Sequence, residues 1–236
     1  MTLNDAALMQ LHLDILFTYD DRGRMLQSNE PHPPSRRPAP RLYRGRALER
    51  SWVRFGATLP NAVVRRLQAI IDREPPSGDL AAPPSALPAL RAVLTEHAPI
   101  EAETAGPVYR FPDPIQGTSE AIQLTSENVA SATETFPWLT RELADWWPCF
   151  AIVRDGAVVS VCFSSRIGTM AVDAGLETLP AFRGRGYAVA VTAAWGAAVR
   201  ASGRVPLYST GWDNHASRAV AARVGLPLIG TDASWA

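Results

Sequence analysis

The chain predicts an α/β fold, regular over its C-terminal half and preceded by an extra helix-containing region. Three observations carry that expectation. Apolar runs Cys149–Arg154 and Val158–Ser164 flank Asp155-Gly156, a dipeptide that favours a tight hairpin turn. A strand-like stretch, Thr169–Leu179, runs straight into a glycine- and arginine-rich loop and a helical pattern over Gly186–Ala201. Proline-broken sequence gives way to these regular runs near Val108. The expected division is residues 1–100 and residues 108–236.

Within the first part, Leu8–Tyr19 reads as a helix running into a strand, closed by a turn at Asp20–Gly23. Glu30–Pro40 is too rich in proline for regular structure. Tyr43–Leu48 reads as ordinary structure, and Ser51–Phe55 alternates like a strand. Asn61–Arg73 carries Val63, Val64, Leu67, Ile70 and Ile71 at helical spacing. Pro75–Pro88 is the best linker candidate, with a short helix at Leu90–His97 after it. In the second part, Ile122–Thr125 reads as a strand and Ser126–Asp145 as a helical region interrupted at Pro137. The hairpin and the third strand follow, then the loop and long helix, strand Val205–Thr210 and helix Asn214–Val224. In the long helix, Tyr187, Val191, Ala194, Trp195 and Ala198 form an apolar stripe expected to pack on the sheet.

Composition narrows the function. The 23 basic and 23 acidic residues cancel, so no overall field draws in nucleic acid or an anionic membrane. No apolar run approaches the roughly 20 residues that span a bilayer, and the N-terminus lacks the pattern of a signal peptide. The expectation is a cytoplasmic protein with neither nucleic-acid nor membrane partners. Cys149 and Cys162 lie in apolar strand-like segments and read as buried free thiols. His12, His32, His97 and His215 are scattered without ligand spacing, so no metal site is expected.

The chemistry concentrates in TLPAFRGRGYA, Thr178–Ala188. Arg183, Gly184, Gly186 and Ala188 fit R-x-x-G-x-A. Glycines let a ligand approach the main chain, and the first turn of the following helix has amides without internal partners and a dipole that favours negative charge. Arg183 and Arg185 add fixed positive charge suited to phosphate oxygens. The stretch reads as a diphosphate cradle. A dinucleotide fingerprint fails because Val189 stands where glycine or alanine is needed, and no P-loop string occurs.

This loop resembles the acetyl-CoA-binding motif of the GNAT acetyltransferase superfamily. Asn214, Ser217, Val220, Gly225 and Leu226 fit the family's later pattern N-x-x-A/S-x-x-L-x-x-x-x-G-F, with Leu in place of Phe. The resemblance covers roughly Ile122–Ala236 and implies a mixed, mostly antiparallel sheet flanked by helices. It implies acetyl-CoA as co-substrate, bound by Thr178, Leu179, Arg183, Gly184, Arg185, Gly186, Tyr187, Ala188, Asn214 and Ser217. Thr178 and Leu179 would hold the pantetheine arm through the main chain. The activity implied is direct acetyl transfer to an amine of a small molecule or peptide. Residues 1–100 would recognise the acceptor or cover the site, and a homodimer is compatible with the sequence.

Strand parity supplies the acid–base candidates. Met170, Val172, Ala174 and Leu176 are apolar, whereas Asp173 and Glu177, four apart, share the opposite face of a regular strand. Glu177 is the first candidate for general base and Asp173 the second; a bulge at Gly175 would break the parity. Many relatives carry a tyrosine in the last helix as acid toward the thiolate, and the matching position is Ala221. Tyr208 or Ser209 on the preceding strand would have to substitute. The missing tyrosine favours the rival reading, a non-catalytic acyl-CoA-binding or regulatory module.

Overall fold

The computed structural model describes residues 3–75, 78–115 and 120–236. Their chain runs α1 (Asp5–Leu16), β1 (Phe17–Tyr19), β2 (Met25–Ser28), β3 (Leu42–Ala47), β4 (Arg50–Phe55), α2 (Asn61–Ile71), α3 (Leu87–His97) and β5 (Glu103–Arg110). It continues with β6 (Ile122–Gln123), α4 (Pro137–Glu142), β7 (Phe150–Arg154), β8 (Ala157–Ile167), β9 (Ala171–Thr178), α5 (Tyr187–Ala201), β10 (Val205–Ser209), α6 (His215–Val224) and β11 (Leu228–Trp235). This is a mixed α/β fold with a mostly antiparallel sheet flanked by helices. Nine strands form the sheet in the order β4-β3-β11-β5-β10-β9-β8-β7-β6, and β1 pairs with β2 apart from it. Among the described residues only β10 and β9 run parallel in the sheet; its other pairings are antiparallel.

Local chemistry explains the elements that pattern reading finds. Asn4 caps α1 by accepting from the Ala7 amide. Asp155 and Gly156 both take positive φ, as the two-residue turn between β7 and β8 requires. Helix α5 buries Ala190, Val191, Thr192, Ala193, Trp195, Gly196 and Val199. Of the expected stripe, Val191 and Trp195 are buried while Tyr187, Ala194 and Ala198 are half-buried, because the helix lies across β7, β8, β9 and β10.

The two faces carry different helices. Tyr43 of β3 packs in a cluster with Leu8, Met9 and Leu13 of α1, while its neighbour Leu42 packs with Leu67 and Leu90 of α2 and α3. On β9, Ala171 joins the α1 cluster and Val172 joins Val191 and Trp195 of α5. Alternation along strands therefore places α1 on one face and α2, α3, α5 and α6 on the other.

The sheet is continuous across the division expected near residue 100. Residues 1–100 supply β3 and β4, which extend the sheet through β11, and β3 pairs with β11 from Leu42↔Trp235 to Arg46↔Thr231. They are not a separate layer laid over the rest. Buried Arg41 reinforces the junction, donating to the carbonyls of Leu94, Ala98, Pro99 and Ala236. Of the expected linker, residues 76–77 lie outside the described residues, and 78–86 run through bends and turns into α3.

Candidate active site

Strands β9 and β10 pair only from Val205↔Ala171 to Leu207↔Asp173. Beyond that vertex they part. β10 continues along β5 through Tyr208 and Ser209, while β9 continues along β8 to Thr178. A cleft of about 780 Å³ opens between them. The Leu179 amide donates to the Val159 carbonyl at 3.0 Å. By the alternation of an antiparallel ladder, the main-chain groups of Thr178, Leu176 and Ala174 then point away from β8 and into the gap. The Ala174 amide is taken by Asp173 Oδ1 at 3.1 Å, and the Thr178 carbonyl accepts from Arg183 Nε at 3.3 Å. The expected role of Leu179 changes accordingly: its amide is already used by β8, and Leu179 lines the cleft without offering that donor.

At the outer end of the cleft the loop turns into α5. Gly184 and Gly186 have φ of 77° and 85°, a conformation that side chains with a Cβ avoid. Gly186 is the helix N-cap without a side-chain cap, and the first internal bond of the helix runs from the Ala190 amide to the Gly186 carbonyl. The amides of Tyr187, Ala188 and Val189 are thus left to the cleft, at the positive end of the helix dipole. Arg183, Arg185 and Arg223 line the same end. Free amides, the helix dipole and three guanidinium groups together make this end of the cleft favourable to an anion.

Residues 149–231 match the family model described as GNAT acetyltransferase. Over that stretch the chain is similar to GNAT acetyltransferases. Among solved structures, a GNAT-family protein from Novosphingobium aromaticivorans is 17% identical, with a TM-score of 0.46, over 58% of this chain and 66% of its own. An acetyltransferase of the family from Colwellia psychrerythraea is 11% identical, with a TM-score of 0.47, over 78% and 75%. An aminoglycoside N-acetyltransferase in complex with CoA is 21% identical, with a TM-score of 0.36, over 44% of this chain and 89% of that one. The chain thus spans just under two thirds of the first of these proteins. No curated protein sequence matches.

The fold brings Thr178, Leu179, Arg183, Gly184, Arg185, Gly186, Tyr187, Ala188, Asn214, Ser217, Glu177 and Tyr208 to one cleft. Asn214 acts there as the N-cap of α6, accepting from the Ser217 amide at 3.0 Å. Ser217 Oγ lies 2.6 Å from the Tyr208 hydroxyl. Burial holds the Tyr208 phenol well above its usual pKa, so it stays protonated. Ala221 packs in the core beneath α6 with no exposed surface, so its side chain does not face the cleft. Tyr187 instead reaches outward to accept from Arg154 Nε at 3.0 Å.

The two carboxylates separate. Glu177 is exposed at the cleft, with its pKa raised by partial burial. Asp173 shares its face of β9 but lies under α1, 2% exposed and outside the cleft lining. It accepts from Ser209 Oγ at 2.7 Å, and Ser209 does line the cleft. Parity placed both acids on one face correctly; which of them is covered depends on where α1 docks. Arg223, Phe136 and Ser209 line the cleft without having been singled out as coenzyme contacts. Arg223 had one available signal, its position three residues after Val220 on the same helix face.

Cys149 and Cys162 are free and fully buried. Burial pushes the Cys149 thiol up to about 12 and Cys162 well above its ordinary value, so neither supplies thiolate at neutral pH. Both are expected to resist a neutral disulfide reagent in the native protein and to react with two equivalents after denaturation, read by thiol absorbance.

Proposed function

We propose that this chain is an acetyl-CoA-dependent N-acetyltransferase that passes an acetyl group directly to an amine of a small molecule or peptide. The observation that carries the reading is the parting of β9 and β10, with α5's free amides at one end and ionisable groups on both sides. Alternation sets Tyr208 toward α6 and sets Glu177, Asp173 and Ser209 on the opposite, α1 side. A coenzyme with its diphosphate at Arg183–Ala188 would run its arm along the main chain of Thr178 and Leu176. Its thioester would then lie toward the vertex, between the two sides.

The chemistry divides across that gap. An alkyl ammonium, with an ordinary pKa of about 10, must lose a proton before it attacks. Glu177 is the base for that step, accessible and with a pKa raised toward neutrality. The nitrogen then adds to the carbonyl carbon, and the C–S bond breaks. Tyr208 gives its proton to the departing sulfur and regains one from solvent through Ser217. The buried cysteines support direct transfer, because no activated thiol stands by to carry the acyl group.

The test is a panel of small-molecule and peptide amines mixed with acetyl-CoA and the protein, followed by free-thiol release. Saturable, amine-dependent release is expected. Coenzyme binding by calorimetry with no release for any amine would overturn the enzymatic reading in favour of a non-catalytic acyl-CoA-binding module.

A further inference from the structure

Behind the vertex of the cleft lies a polar cluster that the mechanism above leaves unused. His12 of α1 is fully buried. Its Nε2 stands 2.9 Å from Asp232 Oδ2 on β11, and its Nδ1 stands 3.7 Å from Asp173 Oδ2 on β9. Among the described residues that Nδ1 has no hydrogen-bond partner, and its 3.7 Å separation from Asp173 is a charge contact rather than a hydrogen bond. The Tyr43 hydroxyl of β3 donates to Asp232, and Arg166 of β8 adds positive charge near both His12 and Asp173. Ser209 of β10 donates to Asp173, while Asp232 keeps 17% of its side chain at the surface. Ser209, Asp173, His12 and Asp232 therefore lie in series behind the cleft, joined by hydrogen bonds except between Asp173 and His12, which interact through charge.

A buried carboxylate without compensation would be held neutral by desolvation. Burial does push Asp173 upward, and the imidazole of His12, the Ser209 hydroxyl and Arg166 oppose it. Burial likewise disfavours a charged His12, but Asp232 and Asp173 reverse the balance and raise its pKa. The two groups favour each other's charged forms. Because Ser209 Oγ spends its hydrogen on Asp173, its lone pairs face the cleft as a hydrogen-bond acceptor.

We propose that His12 is a positioning residue for acyl transfer: it holds Asp173 ionised so that Ser209 and Asp173 take the second proton from the acceptor nitrogen. This rests on the acetyltransferase reading. Two protons must leave the nitrogen. Glu177 takes the first, from the arriving ammonium. After the nitrogen has added to the carbonyl carbon it is positively charged, and one N–H bond must still break. That proton passes to Ser209 Oγ as the Ser209 hydrogen passes to Asp173. Asp173 holds that proton beside the His12 imidazolium, which keeps both of its own protons, and returns it through Ser209 to solvent once the amide has left. With one proton spent on the thiolate and one regained by Tyr208, the ammonium, thioester and protein together release one proton to water.

The experiment compares acetyl transfer by His12→Gln and Ser209→Ala with wild type across pH, alongside acetyl-CoA affinity by calorimetry. In His12→Gln, kcat should fall roughly 10–100-fold at neutral pH, the range seen when a group that orients a functional side chain is lost. Removing the imidazolium leaves Asp173 facing Asp232 with less opposing charge. Ionisation of Asp173 should therefore rise and join that of Glu177 in the acidic limb of the kcat profile, carrying the limb to higher pH, with coenzyme affinity unchanged. Ser209→Ala, a smaller change suited to a case where His12→Gln does not fold, should lower kcat without moving coenzyme affinity. Adding Asp173→Asn to it should cost little more, as for groups acting as a unit. A His12→Gln profile that is merely scaled down, or full additivity in the double variant, overturns the inference while leaving the acetyltransferase reading intact. A wild type that releases no thiol with any amine overturns both.

Discussion

Gly186→Asp is expected to abolish acetyl-CoA binding while the protein remains folded. Gly186 is the N-cap of α5 at φ 85°, and a Cβ there meets only Arg223 Nη2, at 3.5 Å, as its nearest neighbour. Space is therefore not what requires glycine; the backbone conformation and the ligand are. A left-handed residue with a side chain costs about 1–2 kcal/mol. An aspartate adds a carboxylate beside the free amides of Tyr187–Val189, where it pairs with Arg223 and takes the place of the phosphate oxygens. Gly186→Ala separates the two effects, because it carries the strain without the charge and should keep measurable affinity. Arg183→Ala should weaken binding by about 1–3 kcal/mol, the scale of one charge-assisted hydrogen bond. Titration calorimetry with acetyl-CoA, on variants checked by circular dichroism, decides the matter. Wild-type affinity in Gly186→Asp would mean that the α5 end is not the diphosphate site.

Glu177→Gln is expected to lower turnover by about 10²–10⁴-fold, the usual worth of general base catalysis. Glutamine keeps the size and much of the hydrogen bonding and removes the basicity. Glu177 is exposed at the cleft, so its replacement leaves no buried group without a partner, and coenzyme affinity and melting temperature should hold. The raised pKa gives the sign of the pH dependence. In wild type the acidic limb follows ionisation of Glu177, and activity falls as pH drops through that pKa. In Glu177→Gln this limb disappears and the rate climbs with pH, as solvent supplies free amine in place of the base. Retention of the wild-type rate and profile would show that the enzyme selects amine already deprotonated.

What was legible before folding was whatever local chemistry encodes. Asp155-Gly156 turns β7 into β8 because two successive positive-φ residues match the twist of the flanking strands. The loop at Arg183–Ala188 stood out because glycines and arginines before a helical pattern suit an anion, although the same residues also make an ordinary surface turn. Along β9, parity alone set Asp173 and Glu177 on one face, and the irregularity opposite Ser164–Arg166 did not disturb it.

Pairing partners decided the rest. Glu103–Arg110 begins with polar residues and contains Gly106-Pro107, so nothing in it resembles a strand until β11 and β10 bracket it. Leu228–Trp235 loses its alternation at a bulge between Leu228 and Gly230 and takes its faces from β3 and β5. His12 read as a lone histidine in a helix; 220 positions separate it from Asp232, and only the docking of α1 on the sheet brings them into contact. The same docking seals Asp173 from solvent and leaves Glu177 open. Periodicity and turn chemistry act over a few residues, so they set which way a side chain points. Which surface then covers that side chain is a property of contacts between distant segments, and it exists only once the sheet has closed around them.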